Sequence, residues 1–165
     1  RHNCGGLSMK RISLLVLWGF CSMALSNVSF HGYLVQPPNC TISNAQTIEI
    51  TFQDVFVDDI NGSNYEQTVP YSITCDTAVR DPSMEMTLSW SGTQSDFDDA
   101  AVSSNITGLG IQLKQAGQRF RINTPLVVNE TDLPVLTAVP VKKSGVDLPE
   151  ADFEAWATLQ VDFYQ

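Results

Sequence analysis

The sequence predicts an all-β sandwich, and three observations carry that reading. Apolar residues recur at alternate positions in several short runs. Pro, Gly and Asn separate these runs at intervals of roughly 10–15 residues, and no segment of a dozen residues keeps a helical period. No internal repeat, linker or low-complexity tract interrupts the pattern.

Two segments precede the sandwich. Met9-Lys10-Arg11 followed by the apolar run Ile12 to Phe20, with Ala24-Leu25-Ser26 behind it, reads as a secretory signal cleaved after Ser26. Residues 1–8 precede Met9 and read as upstream sequence, so 1–26 is set aside from the fold. The apolar run is well short of the roughly 20 residues a bilayer core needs, so no membrane insertion is expected once the signal is removed. Residues 27–38 then form an N-terminal extension. Val28, Phe30, Gly32 and Leu34 fall on one side of an extended chain, and Ser29, His31 and Tyr33 on the other. Pro37-Pro38 separates the extension from the folded domain. A cleanly alternating strand with no hairpin partner needs a sheet to join, and we read it as completing the sheet of a different molecule.

The folded domain spans residues 39–165. Thr47-Ile48-Glu49-Ile50-Thr51-Phe52 alternates, and residues 58–64 form a polar loop with an Asn61-Gly62 turn signal. Val69, Tyr71, Ile73 and Cys75 predict a strand whose start Pro70 places at an edge or bulge. Met84, Met86, Leu88 and Trp90 predict another, ended by Ser91-Gly92. Asp96-Phe97-Asp98-Asp99 reads as a solvated loop; it lacks the central glycine and terminal Glu of a calcium-binding EF-hand. Leu109, Ile111 and Leu113 predict a strand, and Phe120 and Ile122 with Leu126 and Val128 a pair broken at Pro125. Val135, Thr137, Val139 and Val141 share one face of a further strand, which Pro140 assigns to an edge. The last strand is the strongest. Phe153, Ala155, Ala157, Leu159, Val161 and Phe163 hold one face, and Glu154, Trp156, Thr158, Gln160, Asp162 and Tyr164 the other. It runs to the end of the sequence, so the sandwich is expected to lack a strand beside it and to carry an open edge over exposed core.

Composition narrows the function. Residues 27–165 carry six basic residues against all 18 acidic ones, a net charge of −12. That balance argues against nucleic acid or anionic lipid as partner and fits a partner with a basic surface. Cys4 and Cys21 fall in the removed segment, leaving Cys40 and Cys75, an even count that in an exported chain reads as one disulfide. Two free or metal-bound thiols are the alternative. His31 lies too far from any cluster to close a metal site, so no metal and no cofactor is expected.

The ordered motifs resemble the subunits of chaperone–usher pili, most of all the minor tip subunits of the P-pilus type. The match is carried by Val28-Ser29-Phe30-His31-Gly32-Tyr33-Leu34, Pro37-Pro38-Asn39-Cys40-Thr41-Ile42, Ser72-Ile73-Thr74-Cys75, residues 105–113 (Asn-Ile-Thr-Gly-Leu-Gly-Ile-Gln-Leu) and the final strand with penultimate Tyr164. One departure is plain: the family usually opens the final strand with glycine, where this chain has Glu150-Ala151-Asp152-Phe153. The resemblance implies an immunoglobulin-like β-sandwich lacking its seventh strand and completed by donor-strand complementation. A periplasmic pilus chaperone would lend a strand beside Phe153, Ala155, Ala157, Leu159, Val161 and Phe163, next to Tyr164, and hold the carboxylate of Gln165. At an outer-membrane usher the next subunit's extension would replace it. Val28, Phe30, Gly32 and Leu34 would enter the groove of the preceding subunit, with the tip adhesin among the candidates. The resemblance thus implies export through the periplasm to a bacterial fimbrium and a minor tip adaptor or initiator role, with a rod pilin as alternative.

Rival functions fit less well. A nucleophilic triad needs a histidine, and His31 sits in the extension, so no enzyme is expected. A glycosylated extracellular immunoglobulin-like domain is favoured by five formal sequons, at Asn27, Asn39, Asn61, Asn105 and Asn129. Against it, Trp90 and Trp156 both lie beyond Cys75 rather than between the cysteines. A two-domain adhesin needs more than the 139 residues of 27–165.

Overall fold

The computed structural model describes residues 26–34, 36–76 and 83–164. The predicted signal, Ser26 apart, therefore lies outside the described residues, as do Val35 and Gln165. The chain divides into two units, residues 1–34 and 35–165. In the first, residues 26–34 form no strand or helix, and their side chains are exposed.

The second unit is all-β among its described residues. Its strands are β1 (Cys40–Ile42), β2 (Gln67–Thr68), β3 (Ile73–Cys75), β4 (Glu85–Gly92), β5 (Ala101–Ser103), β6 (Leu109–Gln115), β7 (Gln118–Arg119), β8 (Leu126–Val127), β9 (Leu136–Lys142) and β10 (Ala157–Tyr164). They build a sheet of order β2-β9-β6-β5, with β7 paired to β6, a sheet of order β10-β4-β8, and a β1-β3 pair. Every pairing is antiparallel. Cys40 and Cys75 face each other across β1 and β3 and are joined by the expected disulfide.

The core lies between the two larger sheets, where alternation sends one side chain in two inward. Leu88 and Trp90 from β4 meet Leu113 from β6 and Leu136 and Ala138 from β9. Phe120 and Ile122 close it from the β7–β8 connection. The buried Trp90 Nε1–H donates to the Phe120 carbonyl at 2.8 Å, which satisfies the one polar atom that this aromatic brings into the core.

Gly92 marks a change of sheet. Up to Gly92 the chain pairs with β10; immediately afterwards the Thr93 carbonyl accepts from the Ser103 amide at 2.7 Å and Gln94 bridges Val102 of β5. A Cβ at Gly92 would stand 2.6 Å from Val102 Cγ1 and 2.9 Å from the Trp156 carbonyl oxygen. Backbones cross there too closely for any side chain.

Several sequence expectations are corrected. Of the run from Val69 to Cys75 only Ile73–Cys75 is strand, paired with β1; Gln67–Thr68, just ahead of Pro70, pairs in the other sheet, so the ladder is broken where Pro70 lies. Of the pair expected around Pro125, only Leu126–Val127 pairs near these apolar residues; Phe120 and Ile122 are buried connection residues. On β9 the core face is Leu136 and Ala138 rather than Val135, Thr137, Val139 and Val141. Val135 is exposed, whereas Val139 and Val141 are buried on the other face. That face is covered by the loop around Gly62: Lys114 Nζ, opposite Thr137 in the register, donates to the Gly62 carbonyl at 2.9 Å, and a Cβ on Gly62 would lie 3.6 Å from Val141 Cγ1. β9 is an inner strand, yet β2 pairs only with Thr137 and Ala138. Beside Pro140 the side of β9 away from β6 is therefore locally an edge, which is where proline is tolerated.

The Asp96–Asp99 loop is ion-paired rather than merely solvated. Arg119 bridges Asp98 and Asp99, Arg121 reaches Asp99, and Lys143 pairs with Asp96. Burial works against the Asp98 charge. The Ala100 amide, Arg119 and Gln112 outweigh it and hold the carboxyl below its usual pKa.

Candidate strand-acceptor groove

β10 is an edge strand. It pairs along its length with β4, from Ala157↔Gly92 to Tyr164↔Glu85, and with no second strand among the described residues. β1 comes within 8 Å of it without pairing, whereas neighbouring strands of one sheet lie about 4.8 Å apart. Beyond β1 the chain runs through residues 47–52, where Phe52 meets Phe153 ahead of β10. Residues 47–52 were expected to form a strand and do not. Their burial still alternates, with Ile48, Ile50 and Phe52 half-buried and Thr47, Glu49 and Thr51 exposed. A ladder requires a neighbour, and among the described residues none pairs with this segment. The pattern is that of a strand whose partner is missing.

Apolar side chains from both margins line the gap. Ile42, Ile48, Ile50 and Phe52 come from one side, and Ala155, Leu159, Val161 and Phe163 from the other, all half-buried against the core. Half-burial is informative here, because the residues beneath them, Leu88 and Trp90, are almost wholly covered. Ala157, expected in this row, is exposed, and so is Tyr164.

The ladder of the last strand begins at Ala157 rather than near Phe153, since β4 ends at Gly92 and offers no partner further on. Residues 152–154 are held instead by Asn105. Its Oδ1 accepts from the Glu154 amide at 2.8 Å, its amide donates to the Glu154 carbonyl at 3.0 Å, and its Nδ2 donates to the Asp152 carbonyl at 3.4 Å. The sequence marked Asn105 as part of a motif and as a formal sequon and assigned it no structural role. This clamp sets Phe153 against Phe52, with ring centroids 5.9 Å apart.

Of the predicted donor residues, Val28, Phe30 and Leu34 are 71%, 91% and 98% exposed, and a Cβ on Gly32 would meet nothing within 4 Å. On the polar side Ser29 Oγ and His31 Nε2 lie 2.9 Å apart. Among the described residues no group of three His, Cys, Asp or Glu side chains is placed to hold a metal, and no helix is long and apolar enough to cross a membrane.

Comparison with known proteins identifies the family and the fold. A family model described as "Fimbrial protein" matches residues 28–164. The uncharacterized fimbrial-like protein YfcQ of Escherichia coli (strain K12) is 50% identical over 140 residues, covering 83% of this chain and 86% of that protein. Among solved structures, the P pilus adaptor subunit PapF superposes with a TM-score of 0.56 at 22% identity, covering 78% of this chain and 97% of that one. The P pilus rod subunit PapA superposes with a TM-score of 0.59 at 21% identity, covering 84% of this chain and 100% of that one. At this identity the two likenesses establish the fold.

Proposed function

The chain belongs to the fimbrial protein family, whose members are exported and built into pili on the cell surface, and from that premise we propose that it is a structural subunit that polymerises by exchanging strands. Its groove between β10 and residues 47–52 takes the donor strand of the next subunit, and its own Val28, Phe30, Gly32 and Leu34 enter the groove of the preceding one. The carrying observation is the pair of margins, the outer edge of β10 and residues 47–52, with no strand paired to either among the described residues, above a half-covered apolar floor. A strand laid between them would satisfy two rows of backbone groups and cover Leu159, Val161 and Phe163. Before assembly the same groove needs protection, so a periplasmic chaperone holds it and an outer-membrane usher catalyses the exchange. Gly32 is explained if the acceptor's floor leaves no room there for a side chain. The likeness of the motifs to minor tip subunits favours an adaptor or initiator over a rod subunit.

The test mixes chaperone-bound subunits of the pilus with a peptide spanning residues 27–36 and monitors chaperone release. Displacement from a different subunit supports the adaptor role, and displacement from this chain's own body supports the rod. Failure to displace the chaperone from every subunit of the pilus rejects strand donation.

A further inference from the structure

The outer face of β10 and β4 lies perpendicular to the edge a donor strand would fill and remains outside whether or not the groove is occupied. We propose that this face binds neutral carbohydrate. Thr158 stands opposite Ser91 and Gln160 opposite Ser89, so four small or neutral polar side chains form a two-by-two array on the outward side. Trp156, in phase with them and just ahead of β10, is 73% exposed. Gln160 is oriented by its own side chain, whose Nε2 donates to Asp162 Oδ2 at 2.8 Å.

Each part has a chemical counterpart on a sugar. The apolar C–H face of a pyranose ring packs on an indole plane, which gains from covering a large exposed aromatic surface. Its hydroxyls exchange hydrogen bonds with the Ser and Thr hydroxyls and the Gln amide, all of which both donate and accept. From Trp156 to Gln160 the strand advances about 13 Å, a span matched by a short oligosaccharide rather than a single ring. Charge selects the class. Neither β4 nor β10 carries a Lys or Arg, Asp162 and Glu85 flank the array, and the whole chain has a net charge of −9. Sialylated or sulfated glycans therefore meet like charge, and neutral ones do not.

The experiment presents lactose and N-acetyllactosamine, with 3′-sialyllactose as the charged counterpart, to the purified exported protein on a glycan surface. Expected results are retention on the neutral probes, weaker retention on the sialylated one, loss of about tenfold in affinity for Trp156→Ala, and partial recovery for Trp156→Phe. Thr158→Lys, at an exposed strand position, serves if Trp156→Ala does not fold, and lowers neutral-glycan retention likewise. Absence of wild-type binding to both neutral probes overturns the proposal, as does wild-type affinity in a folded Trp156→Ala or equal retention of 3′-sialyllactose. Self-association that Trp156→Ala abolishes, without saccharide binding, assigns the face to a second copy of the chain and overturns it too.

Discussion

Phe52 and Phe153 meet with ring centroids 5.9 Å apart and planes tilted by 37°, joining the two margins of the groove at one end. Neither residue sits in a ladder, so the contact is made by side chains alone, with Asn105 fixing the backbone beside Phe153. Phe52→Ala and Phe153→Ala are each expected to lower unfolding free energy. A double-mutant cycle should show coupling of about 0.5–1.5 kcal/mol, the usual worth of an aromatic pair beyond its buried area. Urea denaturation of the four proteins measures it. Additive effects would mean that the rings are neighbours without interaction.

Gly92 carries a second expectation. Because an added Cβ would meet backbone, the Trp156 carbonyl oxygen at 2.9 Å, the neighbour cannot rotate away as a side chain would. Gly92→Ala should cost about 1–3 kcal/mol, the range for overpacking a tight site. A shift in the denaturation midpoint at unchanged slope is the measurement, and an unshifted midpoint would show that β4 and the Trp156 segment separate freely.

The parts of the fold that were legible are those where one strand keeps one environment. β4 carries Met86, Leu88 and Trp90, and β6 carries Leu113, into the core as the sequence periodicity puts them. The phase of β9 was not legible, since Val139 and Val141 are buried by a loop rather than by the opposite sheet, and apolarity alone does not say which cover a residue has. Residues 47–52 looked like a strand because their side chains meet the core as a strand's would; the missing ladder depends on a neighbour that none of the described residues supplies. The Asn105 clamp joins segments distant in sequence through backbone hydrogen bonds, and no local pattern records such a contact.

The Asp98 cluster predicts a pH dependence. Its carboxyl accepts from the Gln112 amide at 2.6 Å and the Ala100 amide at 2.8 Å, and pairs with Arg119, so its pKa is lowered on folding. A lowered pKa means that the unfolded chain binds the proton more readily. The stabilisation is therefore complete above the unfolded value of about 3.9 and is lost as pH falls through the folded value. Asp98→Asn should lower stability at pH 7 by about 1–2 kcal/mol and flatten the acid limb below about pH 4. Thermal melts of both proteins from neutral to acid pH test this; parallel curves would show that other carboxylates set the acid limb.

The last expectation separates the two faces of β10. Leu159 and Val161 are half-buried against the core beside the open edge, whereas Thr158, between Ala157 and Leu159, is exposed on the other side. A carboxylate at 159 or 161 is tolerable while the groove stands open to water. Once a donor strand closes it, the charge is stranded in apolar surroundings at a cost of several kcal/mol unless it takes up a proton. Leu159→Asp and Val161→Asp should therefore fail to yield a chaperone complex from the periplasm, whereas Thr158→Asp should yield it normally. Loss of the complex in all three variants would point to general destabilisation of the strand. Normal yields from Leu159→Asp and Val161→Asp would show that the row from Ala155 to Phe163 is not the surface on which a donor strand closes.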